Sequence, residues 1–125
     1  MERAPITVEL GWPAKELWPN GSRAHHFAVS RARKKAREEA FWATRITKPL
    51  VWFHAGGRIA VHITAHRKSA HSVDAQNLIA GLKAHFDGIA DALGVDDKFF
   101  DAPTVDFADP IKNGRVIVAL EEVRP

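Results

Sequence analysis

The chain contains no cysteine. That excludes disulfides, thiolate zinc sites and a cysteine nucleophile. It has no run of about 18 apolar residues, so no transmembrane helix is expected. The opening MERAPITVEL carries an acid at once and no apolar h-region, so a secretory signal is not expected and the cytoplasm is the default compartment. GxxxxGK[ST], GxGxxG and GxSxG are all missing, which leaves nucleotide hydrolysis, a nucleotide cofactor and serine-hydrolase chemistry without support. His25, His26, His62, His66, His71 and His85 offer imidazoles, but none has HxxxH or HExxH spacing on a helix. His62 and His66 lie on one face of a strand, too far apart to share a metal without a bend.

What is present suits one ordinary globular domain over residues 1–125, with 46% hydrophobic and 26% charged residues. The formal charge is only +3, but it is unevenly placed. Residues 1–50 hold 10 Lys/Arg against 5 Asp/Glu, and residues 51–72 hold 3 against none. Residues 73–125 reverse this, with 5 against 10. A basic front suits a polyanion such as DNA, and acids behind it suit a metal site or simple repulsion of that polyanion.

ITVEL alternates apolar and polar residues and predicts a strand. GWPAKELWPNGS is a loop, and a helix follows with Ala24, Ala28, Ala32, Ala36 and Ala40 at four-residue spacing, capped by Ser22 or Ser30. LVWF (residues 50–53) and RIAVHITAH (residues 58–66) predict two strands, the second with Ile59, Val61 and Ile63 on one face. One helix is expected from about Gln76 to Leu93, its stripe formed by Leu78, Leu82, Phe86, Ile89 and Leu93. Val105 and Phe107 begin a strand, Lys112-Asn113-Gly114 supply a turn, and Val116, Val118 and Leu120 answer as the paired strand. The expected fold class is α+β: a single mixed sheet of four or five strands with two main helices packed on it.

Asp74 stands at the start of the second helix. As a cap it would accept the Asn77 N–H, worth about 1 kcal/mol. As a hard oxygen ligand it would suit Mg²⁺, which usually takes one or two carboxylates with water and phosphate. Asp96-Asp97 follows that helix; it is turn chemistry on the one reading and a repelling pair relieved by a cation on the other. A straight helix would separate Asp74 from Asp96 by about 30 Å, so a shared site requires the loop to fold back or the helix to end early. Lys83 and Asp87 are an i,i+4 pair, or a cation beside a phosphate. RARKKAR on the first helix is a solvated face or a phosphate-contacting stripe with Arg23, His25, Arg31, Lys34 and Lys35 as members. Arg67 and Lys68 add a basic link. Trp12, Trp18, Phe27, Phe41 and Trp42 flank the first helix as expected core.

Taken in order, these segments resemble the RusA family of Holliday junction resolvases, in its phage-type branch. LWPNGSRAHHFAVSRARKKAREEAFW resembles that family's Pro-Asn loop and basic helix. Asp74-Ala75-Gln76-Asn77-Leu78 is similar to its D-x-D-N-L motif, and Lys83 to Ile89 to its K-x-x-x-D-[AG]-[LI] segment. Asp96-Asp97 matches its later acid pair, and NGRVIVAL its terminal strand. The resemblance spans roughly residues 6–123. It implies a Mg²⁺-dependent endodeoxyribonuclease (Mn²⁺ as substitute) that acts as a homodimer on branched DNA. On that resemblance Asp74, Asp97 and Lys83 are catalytic, and Asp74, Asp96, Asp97 and Gln76 hold the metal. Asn77 and Asp87 support them, and Arg23, Arg31, Lys34, Lys35, Arg67 and Lys68 hold DNA. Gln76 is a departure, since it stands where the family has a second motif acid. It can coordinate through its carbonyl but brings no charge. The alternative expectation is therefore a junction-binding protein whose metal site is impaired.

Overall fold

The computed structural model describes residues 5–19, 26–47 and 57–123. Along the chain run β1 (Ile6–Leu10), α1 (His26–Ile46), β2 (Arg58–His66), α2 (Ala75–Gly81), α3 (Lys83–Leu93), β3 (Thr104–Ala108) and β4 (Arg115–Val123). Short 3-10 turns cover Lys15–Leu17 and Asp97–Phe99. Among the described residues the four strands form one mixed sheet in the order β1-β4-β2-β3. The fold is α+β, as the alternating and helical periods imply. The predicted strand over residues 50–53 lies outside the described residues, as does Ser22.

Period-two patterning decides which face of the sheet is covered. Ile59, Val61, Ile63 and Ala65 of β2 are buried, together with Ile6, Val8 and Leu10 of β1 and Val116, Val118 and Leu120 of β4. Leu78 and Leu82, then Phe86 and Ile89 of α3, complete that core. The opposite face carries His62, Thr64 and His66, each only half-buried. There His62 Nδ1 lies 2.6 Å from Thr104 Oγ1 and its Nε2 lies 3.2 Å from Asp106 Oδ2.

Two expectations fail here for identifiable reasons. First, β3 and β4 are not a hairpin. β3 runs parallel to β2, β4 runs antiparallel to it, and the two flank β2 on opposite sides. The Asn113-Gly114 turn is real, with φ of 69° and 72°. It serves a link that crosses the end of β2, where Ile111 N–H donates to Arg67 O at 2.9 Å. Turn chemistry reports a local reversal, not which strand receives the chain. Secondly, the helix expected from Gln76 to Leu93 is broken at Leu82, which has φ −96° and ψ 3°. Its N–H is shared between Leu78 O and Ile79 O, both at 3.1 Å. The apolar stripe continues across the break because Leu82 is itself buried. Hydropathy therefore could not locate it.

α1 packs on α3 and β1. Ala36, Ala40 and Thr44 are its buried positions, continuing the alanine period one turn past Ala40. Ser30 lies inside α1, not at its cap. Facing it, α3 buries Ala84, Gly88 and Ala92 at four-residue spacing. A Cβ on Gly88 would fall 2.1 Å from Arg37 O and 3.1 Å from Ala40 Cβ, so the two backbones nearly touch there. Trp12 and Trp18 pack against the core, but Phe27 and Trp42, 59% and 63% exposed, do not.

Candidate nucleic-acid interface

Asp74 is the N-cap of α2. Its extended backbone (φ −74°, ψ 127°) lets Oδ1 accept the Asn77 N–H at 2.9 Å. This is the bond expected from the sequence, and it ties up one carboxylate oxygen. Asp96 likewise caps a turn, accepting the Lys98 N–H at 3.0 Å. That bond to the ionised form is the main reason its pKa falls below the usual range. Gln76 is exposed on the first turn of α2, and Asn77 is half-buried.

The break at Leu82 starts a new helix at Lys83. Its ammonium lies 3.1 Å from Asp87 Oδ1 and 3.2 Å from Asp97 Oδ2. Bonding to Asp87 first, and to Asp97 second, raises the lysine pKa. So the structure brings together three predicted site residues, Lys83, Asp87 and Asp97. Asp74 and Asp96 hold local caps instead.

The candidate metal-ligating carboxylates already have partners: the Lys83 ammonium lies at hydrogen-bond distance from Asp97, and one oxygen of Asp74 accepts its cap bond. No group of three or more histidine, aspartate or glutamate side chains able to hold a metal ion occurs among the described residues. Gln76 supplies no further charge. The chain turns after α3 and delivers Asp97 to Lys83.

The same break opens a groove. Trp18 lies over Gly81, with ring atoms 3.6 Å from where a Cβ would sit. Its indole N–H donates to Pro13 O at 3.1 Å and fixes the loop. Between this loop, α1 and α2–α3 runs a groove of about 900 Å³ lined by Arg33, Lys34, Arg37 and Lys83, with Glu16 and Asp87 as its acids. Arg37 is held in place by two bonds to Asp91, at 2.7 and 3.0 Å, and the pairing raises its already high pKa. Arg33 and Arg37 were missed as site residues in the sequence. Their i,i+4 spacing on the side of α1 that faces α3 is the signal that finds them.

The predicted DNA-binding residues divide. Lys34 joins this groove, whereas Arg31 and Lys35 line a second cavity of about 600 Å³ with Trp12, Glu39 and His85. Arg67 donates to His71 O at 3.1 Å and stacks over Phe107, and Lys68 lies near Gly114 in the link that crosses β2. Arg23 and His25 lie outside the described residues. His85, unremarkable in the sequence, is 2% exposed and sets its Nε2 3.6 Å from Glu39 Oε1. Glu39 Oε2 in turn accepts the Gly11 N–H at 2.8 Å. Bonding to His85, ahead of that to Gly11, lowers the Glu39 pKa.

No helix among the described residues is long and apolar enough to cross a membrane. No known family model matches the chain. An uncharacterized protein of Xylella fastidiosa (strain Temecula1 / ATCC 700964) is 33% identical over 117 residues, covering 91% of this chain and 74% of that protein. At that identity and coverage, the chain belongs to the same family as the Xylella fastidiosa protein.

Proposed function

We propose that the protein is a RusA-like DNA-binding domain that holds the phosphate backbone of branched DNA and whose metal site is impaired. The observation that carries this is the groove with four cations, Arg33, Lys34, Arg37 and Lys83, on the rigid α1–α3 pair. Backbone contacts of this type position a duplex without reading bases, and a branched substrate is then selected by shape. The ammonium of Lys83 against Asp97 argues for binding over cutting, because a cation entering at Asp97 must first displace it. A homodimer, presenting two such grooves to the arms of a four-way junction, and a cytoplasmic location belong to the same reading.

The second reading is the Mg²⁺- or Mn²⁺-dependent junction endonuclease itself. Its support is the order of the sequence motifs, together with the exposure of Asp74, Asp96, Asp97 and Lys83 on one stretch of surface-facing chain.

A synthetic four-way junction separates the two. Titration followed by fluorescence anisotropy, with added Mg²⁺ or Mn²⁺, is expected to show junction binding that weakens steeply with salt and no strand cleavage. Gln76→Asp is then expected to restore some cutting. Cutting by the wild type that Asp97→Asn abolishes would establish the enzyme. Absence of any salt-dependent affinity would overturn both.

A further inference from the structure

A third, smaller pocket is also lined by Lys83. It measures about 280 Å³ and shares Ala80 and Lys83 with the basic groove, so the two mouths adjoin. Its walls are apolar: Val61 from β2, Ile79 from α2, Phe86 from α3 and Phe100 from the following loop. Phe86 and Phe100 meet edge to face, with centroids 6.4 Å apart at 70°. The loop is anchored, since the Asp101 N–H donates to Ile59 O at 2.8 Å and the Asp101 carboxylate pairs with Arg58. Asp97 and Asp101 stand among its lining residues as the acids.

We propose that this pocket receives one base unstacked from a DNA strand whose phosphates lie in the basic groove. The inference rests on the DNA-binding reading. Three observations select a base over other occupants. The pocket adjoins a polyanion groove through a shared lysine, so a ligand reaching it from the groove carries phosphate on one side. Its walls offer aromatic and aliphatic surface, which suits the flat face of a base. Its charged groups besides Lys83 are carboxylates, which accept hydrogen bonds. The oxygens not engaged by Lys83 and Arg58 can accept from the exocyclic amino group of cytosine, adenine or guanine, whereas thymine lacks that group and offers only its N3–H.

The test uses the full chain and a four-way junction with 2-aminopurine at the branch point. Anisotropy reports binding and 2-aminopurine fluorescence reports unstacking. The wild type is expected to raise the fluorescence several-fold on saturation. Ala102→Trp, an exposed position on the pocket lining, is expected to block the rise and to weaken binding about as much as loss of the base does, with the salt dependence set by the groove unchanged. As a second measurement on the wild type alone, an abasic site in place of the base is expected to weaken binding about tenfold, and thymine there to bind more weakly than cytosine. Binding without a fluorescence rise, or with no loss at the abasic site, overturns the pocket and leaves the groove standing. No salt-dependent binding at all overturns the DNA reading and the pocket with it.

Discussion

The ammonium of Lys83 lies 3.2 Å from Asp97 Oδ2, joining the first residue of α3 to the turn that follows its end. It also lies 3.1 Å from Asp87. Two carboxylates share one cation, so the cluster keeps one net negative charge beside a groove that is otherwise basic. The lysine side chain is 71% exposed, and solvent screens the pairs.

Lys83→Gln is expected to cost a few tenths of a kcal/mol at neutral pH. The raised pKa sets the sign of the pH dependence. The contribution is fully present below the ordinary lysine pKa and is lost as pH rises through the higher folded value. Urea unfolding of both proteins from pH 7 to 11 should therefore show the curves converging at the alkaline end. A gap that widens with pH would refute the ion-pair account.

Gly88→Ala tests the helix crossing. In an exposed helix this change stabilises by about 1 kcal/mol. Here the new methyl would meet the Arg37 carbonyl at 2.1 Å, and backbone cannot swing aside as a side chain can. A loss of about 2 kcal/mol or more is expected, in the range of overpacked cores. The midpoint of denaturant unfolding reads it directly, and a gain in midpoint would mean that α1 and α3 are further apart than described.

Much of this fold was legible in the residues. The alternation in ITVEL and RIAVHITAH marked β1 and β2 with the correct faces, and the Asp74 cap was predicted to its partner, Asn77. The main failures share a cause. The break at Leu82, the placement of β4 between β1 and β2, and the exposure of Trp42 all depend on what lies across space. Leu82 is apolar and buried whether or not the helix is continuous. Of the candidate site, the Lys83–Asp87 pair followed from i,i+4 spacing. The Lys83–Asp97 contact spans fourteen residues and needed the chain reversal after Gly94, whose φ of 70° ends α3.

Glu39→Gln addresses the buried His85. The carboxylate accepts from Gly11 N–H and pairs with His85, and both hold its pKa down. Its contribution is therefore present above the ordinary carboxylate range and lost as pH falls through the lowered folded value. The substitution is expected to cost about 1 kcal/mol at pH 7, the worth of one hydrogen bond, since the side chain is 43% exposed and partly screened. Thermal melts at pH 7 and pH 3 check it. The difference between the two proteins should shrink at the acid end.

Arg33→Ala and Lys34→Ala probe the groove at side chains with no ion pair among the described residues, whereas Arg37 also ties α1 to Asp91. If each cation neutralises one phosphate, each substitution lowers the slope of log affinity against log salt by about 0.9 on duplex arms. On the phosphate-contact reading, affinity should fall evenly across sequences. Arg45→Ala, in the last turn of the same helix and outside the groove lining, is the control and should leave the slope unchanged. Equal losses from Arg45 and Arg33 would indicate a diffuse positive field. A loss confined to Arg33 and Lys34 would place the DNA between α1 and α3, alongside Lys83.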